Sequence, residues 1–447
     1  MPYKLTIPLL LVGFVLSACQ PAVTVTSTAA PTVKVEPTAP ALEPTLIPTV
    51  EPVRISYTAY HGGPQHGSWE RDNVSAFMES HPGINVLHTN VNIYSSPVPR
   101  NLDDQLVSDS PPDVISGPMA GLFLDYVKQG LIADITDLWE ANGWYDKFPQ
   151  SVIDMATLDG QQYFVPTMLQ FHPIWYNKDV FAEHDITPPE TWDELLAICD
   201  QLSNAGQTPI TISVAGWNAP TARWFTYINL RVNGPEFHAA LMRGQISWLD
   251  ERVHKVFDYW RQMFDHNCFS EDVAETNYRD AAQAVLNGDA AMYLLGEWLS
   301  ESYPQGIPSN VDHFPVPVIN PSVLNGEIAH QYGAFLPTGA EHPQEARVFL
   351  TWLGSVEVHN SFGESLHRIS THADLDQTLF DEKYWRGEEM IANAGYLTAL
   401  FEMSTHANVA NSGLSAFTAF IKNPDADYET WLTRVETARE EIYGPLP

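Results

Sequence analysis

From Val53 onward, short apolar runs with strand character alternate with stretches whose apolar residues recur at helical spacing. Val53, Ile55 and Tyr57 alternate with polar neighbours, and Gly62-Gly63-Pro64 ends the run. A helix fits Trp69 to Ser80, with Val74, Phe77 and Met78 on one face, and Pro82-Gly83 closes it. Ile84 to Val91 and Asp113-Val114-Ile115 read as strands, with helices marked by Leu102 and Leu106 and by Phe123 to Gln129. Strands follow at Gln162 to Val165, Ile174 to Tyr176, Ile210 to Val214 and about 290–295. Between and after them, helices fit about 220–231, 252–266, 278–287, 343–354, 384–394, 412–422 and 427–442. Thr191-Trp192-Asp193-Glu194 has capping-box spacing ahead of another helix. Such alternation feeds a largely parallel sheet covered on both faces, so the predicted class is α/β with doubly wound sheets.

Nothing of this pattern precedes Val53. Residues 1–18 hold one basic residue, Lys4, and an apolar run from Ile7 to Leu16 that is too short for an ordinary membrane span but proportioned like a secretory signal. Leu16-Ser17-Ala18-Cys19 resembles a bacterial lipobox, in which the cysteine thiol takes a diacylglycerol; the alternative is an ordinary signal peptide with a chance cysteine. Residues 19–52 would then be the lipidated Cys19 and a Pro/Thr-rich linker, a semi-rigid spacer of at most about 3.1 Å per residue. The expected location is extracytoplasmic, anchored by lipid to a bacterial cell membrane.

Composition narrows the partners. Among 447 residues, 55 Asp and Glu outnumber 22 Lys and Arg, for a formal charge of −33. Nucleic acid and polybasic membrane contacts both need a basic face and are excluded as expectations. With 44% hydrophobic and only 17% charged residues, the chain is not a disordered acidic one. Cys199 lies on an apolar stripe with Leu195, Ile198 and Leu202, so Cys199 and Cys268 are expected to be two buried thiols, although a disulfide is permitted outside the cell. No G-x-S-x-G elbow, H-E-x-x-H or P-loop is present.

The segment DGQQYFVPTMLQFHPIWYNKDVFAEHDITPPETWDEL, Asp159 to Leu195, resembles a diagnostic stretch of the extracellular solute-binding proteins, the carbohydrate-binding subunits of ABC importers such as maltodextrin-binding protein. Its parts are Asp159-Gly160, Pro166, Tyr176-Asn177-Lys178-Asp179, Phe181, Pro189, Thr191-Trp192 and Glu194-Leu195. Three further stretches agree in order: Pro112 to Thr136, Ala281 to Leu299 and Ala334 to Ser355. The resemblance implies two lobes of periplasmic-binding-protein type, lobe 1 at 53–165 plus 330–375 and lobe 2 at 166–329 plus 376–447, with a ligand cleft between them. It implies a monomeric, non-enzymatic binder that delivers a sugar or oligosaccharide to ABC permease subunits. A polyamine, peptide or metal-chelate binder on the same fold, and a secreted glycoside hydrolase, stay open as alternatives.

A sugar offers an apolar C–H face to aromatic planes and a rim of hydroxyls to polar side chains. Ligands sit at loops off the carboxyl ends of parallel strands. The loop after the first strand supplies His61, Gln65 and Trp69, the last of which could equally be a core residue. Gln170-Phe171-His172 supplies His172, with Gln170 beside it, and the loop after Val214 supplies Trp217 and Asn218, with Trp224 seven residues beyond Trp217. Gly296-Glu297-Trp298 supplies Trp298 as the aromatic platform and Glu297 as a hydroxyl acceptor, and Gln331-Tyr332-Gly333 supplies Tyr332. The loop Ser116-Gly117-Pro118-Met119 lacks the aromatic contacts of maltodextrin binders, and Arg368 reads as a surface salt-bridge partner. His61 and His66, five apart on a loop, are weak evidence for a metal pair, so no metal and no cofactor are expected.

Overall fold

The computed structural model describes residues 51–61, 64–92, 102, 104–119, 121–270, 273–303, 306–368 and 370–446. The signal segment, Cys19 and the linker lie outside the described residues, apart from 51–52. No helix among the described residues is long and apolar enough to cross a membrane.

In chain order, the elements that frame the site are β1 (Val53–His61), α1 (Pro64–Ser80), β2 (Ile84–Asn92), β3 (Val114–Met119), β4 (Val165–Phe171), β5 (Ile174–Asn177), α2 (Trp192–Asn204), β6 (Thr208–Thr211), α3 (Ala219–Met242), α4 (Glu251–Asp265), α5 (Tyr278–Asn287) and β7 (Ala290–Leu294). They continue with β8 (Val311–Phe314), β9 (Gly326–Phe335), α6 (Pro343–Leu353), α7 (Val356–Leu366) and β10 (Tyr396–Thr398).

Two main sheets result. A six-stranded sheet runs β10-β9-β3-β1-β2, with β4 also on β9; a four-stranded sheet runs β8-β5-β7-β6. The β1 strand pairs in parallel with both β2 and β3, as the strand–helix alternation requires. One apolar core packs Ile55, Tyr57, Phe77, Val114, Trp139 and Phe349 around the first sheet. Another packs Ile174, Ile210, Trp224, Phe257, Met292 and Phe417 around the second. The antiparallel strands β4 and β9 pair over Val165–Phe171 and Ala329–Ala334. Phe171 at the end of β4 belongs to neither of those cores but to a third cluster, with Trp175, Tyr293, Trp298 and Ala329.

Several expectations are corrected. Helix α1 begins at Pro64, five residues before Trp69, so Gln65 is helical rather than on a loop and Trp69 lies inside the helix rather than at its start. Proline suits a first helical turn because its missing N–H would have no intrahelical partner there. Ser116 to Met119 is strand, not loop, because it pairs with Gln331–Ala334 of β9. The α3 helix runs well past 231 and is broken at Gly234, whose φ of 81° together with Pro235 interrupts the ladder. The capping box at Thr191 and Glu194 is present.

Cys199 and Cys268 form a disulfide rather than two thiols, closing a 69-residue separation. The stripe argument was right about burial, since both residues are 0% exposed. It missed that Cys268 follows α4, where its backbone carbonyl accepts from Ile210 of β6 and brings it against α2.

Candidate functional site

The end of β1 carries His61 into a buried polar knot. Its Nε2 lies 2.7 Å from Glu70 Oε1 and 3.1 Å from Ser116 Oγ. The Tyr57 hydroxyl donates to both Glu70 oxygens, at 3.1 and 3.0 Å, and lies 2.7 Å from Ser116 Oγ. Burial and the nearby Glu70 carboxylate push the Tyr57 hydroxyl well above its ordinary range, so it stays a donor. His66, one helical turn before Glu70, stacks on His61 with centroids 3.8 Å apart.

From His61 a continuous strip of rings crosses the β9 strand. His61 stacks on Tyr332 at 5.5 Å, Tyr332 neighbours His330 at 5.5 Å, and His330 neighbours His172 at 5.7 Å. His172 meets Trp298 edge-on at 4.9 Å, and Trp298 lies 6.3 Å from Trp217. His330 and Tyr332 share one face of β9 because strand residues two apart point the same way. Trp298 folds back on Gly296, where an added Cβ would lie 2.0 Å from the indole, so only glycine permits this pose.

Charge is concentrated along the same strip. Arg223, from α3, sets its guanidinium 5.1 Å from the Trp217 ring and 5.3 Å from that of Trp298. Its Nε donates to His172 Nδ1 at 3.2 Å. Burial and the Arg223 charge hold His172 well below the usual imidazole range and push His330 down to about 3, so both are neutral near pH 7. Burial raises the Glu402 carboxyl, with Arg223 pulling it back. Among the described residues, Trp298 Nε1, His172 Nε2, both ring nitrogens of His330 and both amide atoms of Gln331 are buried without a hydrogen-bond partner. Apart from Trp217 these rings are buried in this arrangement, and rings with polar edge atoms between them are the side-chain types that suit a polyhydroxylated molecule.

The candidates from sequence thus divide. His61, His172, Trp217, Trp298 and Tyr332 come together in the strip. Gln65 sits half-buried in the first turn of α1, and Gln170 is buried opposite His330 in the β4–β9 pairing. Asn218 is half-buried and its amide donates to Thr418 Oγ1 at 3.0 Å.

Three candidates are corrected. Trp224 stands apart from the strip, in the apolar core of the second sheet, edge-on to Phe269 at 6.1 Å. Trp69 donates its N–H to Ser361 Oγ at 2.9 Å and packs edge-on to Phe362 at 4.9 Å, tying α1 to α7. Glu297 is fully buried and accepts from Arg368 Nε at 2.8 Å, which makes Arg368 a buried partner rather than a surface one. His330, Arg223 and Glu70 were missed, and Gln331 and Ser116 were named only as parts of their stretches. The alternation in β9 could have found His330, since it lies two residues before Tyr332.

A two-lobed α/β binding protein is the class this fold defines. The chain matches the family model for bacterial extracellular solute-binding proteins over residues 62–359. It is 26% identical to an ABC transporter extracellular-binding protein of Pyrococcus horikoshii over 63% of this chain and 63% of that protein, so the match spans less than two thirds of the relative. It is 24% identical to the osmoprotective compounds-binding protein GgtB of Synechocystis, over 72% of this chain and 77% of the relative. The crystal structure of the bacterial solute receptor AcbH, described as preferring β-D-galactopyranose, has the same fold, with a TM-score of 0.75 at 22% identity over 87% of this chain and 98% of that one. The chain belongs to the bacterial extracellular solute-binding protein family.

Proposed function

We propose that the chain is the substrate-binding lipoprotein of an ABC importer, capturing a sugar or short oligosaccharide on the strip from His61 to Trp217 and delivering it to membrane permease subunits. The observation that carries this reading is the strip itself: aromatic and imidazole faces for C–H surfaces, interleaved with buried polar atoms for hydroxyls. The lobe division at 53–165 plus 330–375 and 166–329 plus 376–447 belongs to the same proposal. In it, β4 and β9 act as hinge strands, and ligand favours the closed arrangement by touching both lobes. Cys19 would carry the lipid anchor.

The reading is of a binder and not an enzyme. Glycoside hydrolysis needs two carboxyl groups available across one sugar. Here Glu70 is held by Tyr57 and His61, and Glu297 by Arg368. The Arg223 guanidinium beside Trp217 and Trp298 also disfavours a polyamine.

A thermal-shift screen of mono- and oligosaccharides, followed by calorimetric titration of the best hit, tests the proposal. A sugar that binds only the folded state raises the melting temperature. Failure of the whole sugar panel to shift it, or release of hydrolysis products on long incubation, overturns the reading.

A further inference from the structure

The knot at the end of β1 offers more than sugar contacts. His61, His66 and Glu70 each present one ligand atom, and these atoms lie within 4.8 Å of one another in a fully buried group. We propose that His61, His66 and Glu70 form a binding site for one borderline-soft divalent cation, of which Zn2+ is the type case. This goes beyond the sugar reading and stands or falls without it.

The donor set is the first reason. Two imidazoles and one carboxylate are a ligand combination that suits a zinc-type ion, with a fourth position left for water or another oxygen. The spacing is the second. Because α1 starts at Pro64, His66 and Glu70 are four apart on one helix face, and the strand end brings His61 to them. The loop objection to a histidine pair therefore no longer applies.

The distances are the third reason. Glu70 Oε1 is 2.7 Å from His61 Nε2 and 3.8 Å from His66 Nε2. Two ligands of one ion at about 2.1 Å lie roughly 3.4 Å apart in a tetrahedron. The first pair must open and the second close by less than an ångström each, and the His61 and His66 rings, now stacked 15° from parallel, must turn so that both in-plane lone pairs meet the ion. The His61 Nε2–Glu70 Oε1 contact would part, and the ion would take its place.

The surroundings are prepared for such a centre. Tyr57 donates to both Glu70 oxygens, outer support that orients a ligating carboxylate, while the Ser116 Oγ contact to His61 Nε2 would give way to the ion. His66 Nε2, one of the proposed ligand atoms, is buried without a hydrogen-bond partner among the described residues. An inert structural knot would normally pair such atoms. The positive charge of Arg368, close enough to influence His66, is offset by its pairing with Glu297.

Equilibrium dialysis and calorimetry with Zn2+ alone, on metal-stripped protein without sugar, test the site. Co2+ substitution adds a spectroscopic readout, because tetrahedral ligation gives intense visible absorption. The wild type is expected to take up one ion, and His66→Ala and Glu70→Gln are each expected to weaken uptake at least about tenfold and to lose the Co2+ bands. If Glu70→Gln does not fold, His66→Gln serves in its place. The proposal is overturned if the wild type binds no ion, or if variants that keep the wild-type circular dichroism bind Zn2+ as the wild type does, which would place uptake on other members of the 16 histidines. Because no sugar is present, failure here leaves the sugar reading untouched.

Discussion

Arg368 and Glu297 meet as an ion pair with no solvent on either side: Arg368 Nε donates to Glu297 Oε1 at 2.8 Å, and the two side chains are 1% and 0% exposed. Burial raises the Glu297 carboxyl above its ordinary range, and the guanidinium pulls it back. Removing one partner leaves the other charge in a low-dielectric interior. Arg368→Met is therefore expected to destabilise the fold by about 3–5 kcal/mol at pH 7. The double variant Arg368→Met/Glu297→Gln should recover part of that loss, since no charge is then left buried. Urea unfolding of the four proteins gives the cycle, and additive single effects would contradict the pairing.

The Cys199–Cys268 bond closes a loop across the second sheet, joining α2 to the segment after α4. Cross-linking restricts the unfolded chain, and a separation of 69 residues corresponds to about 4 kcal/mol in the chain-entropy treatment, with measured effects more often about 2–4. Cys199→Ala/Cys268→Ala should lower the urea midpoint accordingly. Thiol titration of the unfolded, unreduced body should detect neither cysteine; two reactive thiols would show that the bond does not form.

If the strip is the sugar platform, its most exposed aromatic can be removed without unfolding the protein. Trp217 is half-buried, unlike Trp298. Trp217→Ala is expected to weaken binding of the sugar identified in the screen by about tenfold or more, with little change in melting temperature. Trp224→Phe, made in the core, should leave affinity near wild type while lowering stability. Reversal of these two outcomes in calorimetric titration would move the site away from the strip.

What could be read from the chain followed the range of the interactions involved. Strand–helix alternation is local, so β1, β2, α5 and α6 fall within a few residues of their expected bounds. The fold class followed from it, and the family pattern from Asp159 to Leu195. Side-chain partners across the chain were not legible. Glu297 and Arg368 are 71 residues apart, and nothing near either one signals the other. Trp69 and Ser361 are 292 apart, so the indole that suggested stacking turned out to be a tie between helices. The Pro64 start of α1 was misread because Gly62-Gly63-Pro64 signals a turn as readily as a helix N-terminus. That single boundary hid the His66–Glu70 relationship, which only helical geometry brings onto one face.

Acid should unfold this protein through its buried histidines, and His238 allows the sign to be worked out on one group. It lies on α3 with Asn229 Nδ2 3.1 Å from Nδ1 and Thr398 Oγ1 3.3 Å from Nε2. Asn229 can only donate to Nδ1, so Nε2 carries the single proton and the ring is neutral. Burial alone pushes its pKa from 6.5 down to about 4. The unfolded chain therefore takes up this proton first as the pH falls. The stabilisation is complete above about pH 6.5 and is lost progressively towards pH 4. At pH 5 the loss from this one group is about 2 kcal/mol. His238→Gln cannot titrate, so although it starts less stable at pH 7, it should lose about 2 kcal/mol less than the wild type between pH 7 and pH 5. His330 and His359, both lowered to about 3, keep the same direction of change in both proteins. Urea unfolding at the two pH values measures the difference, and equal losses would mean that His238 titrates in the native state as it does in the unfolded chain.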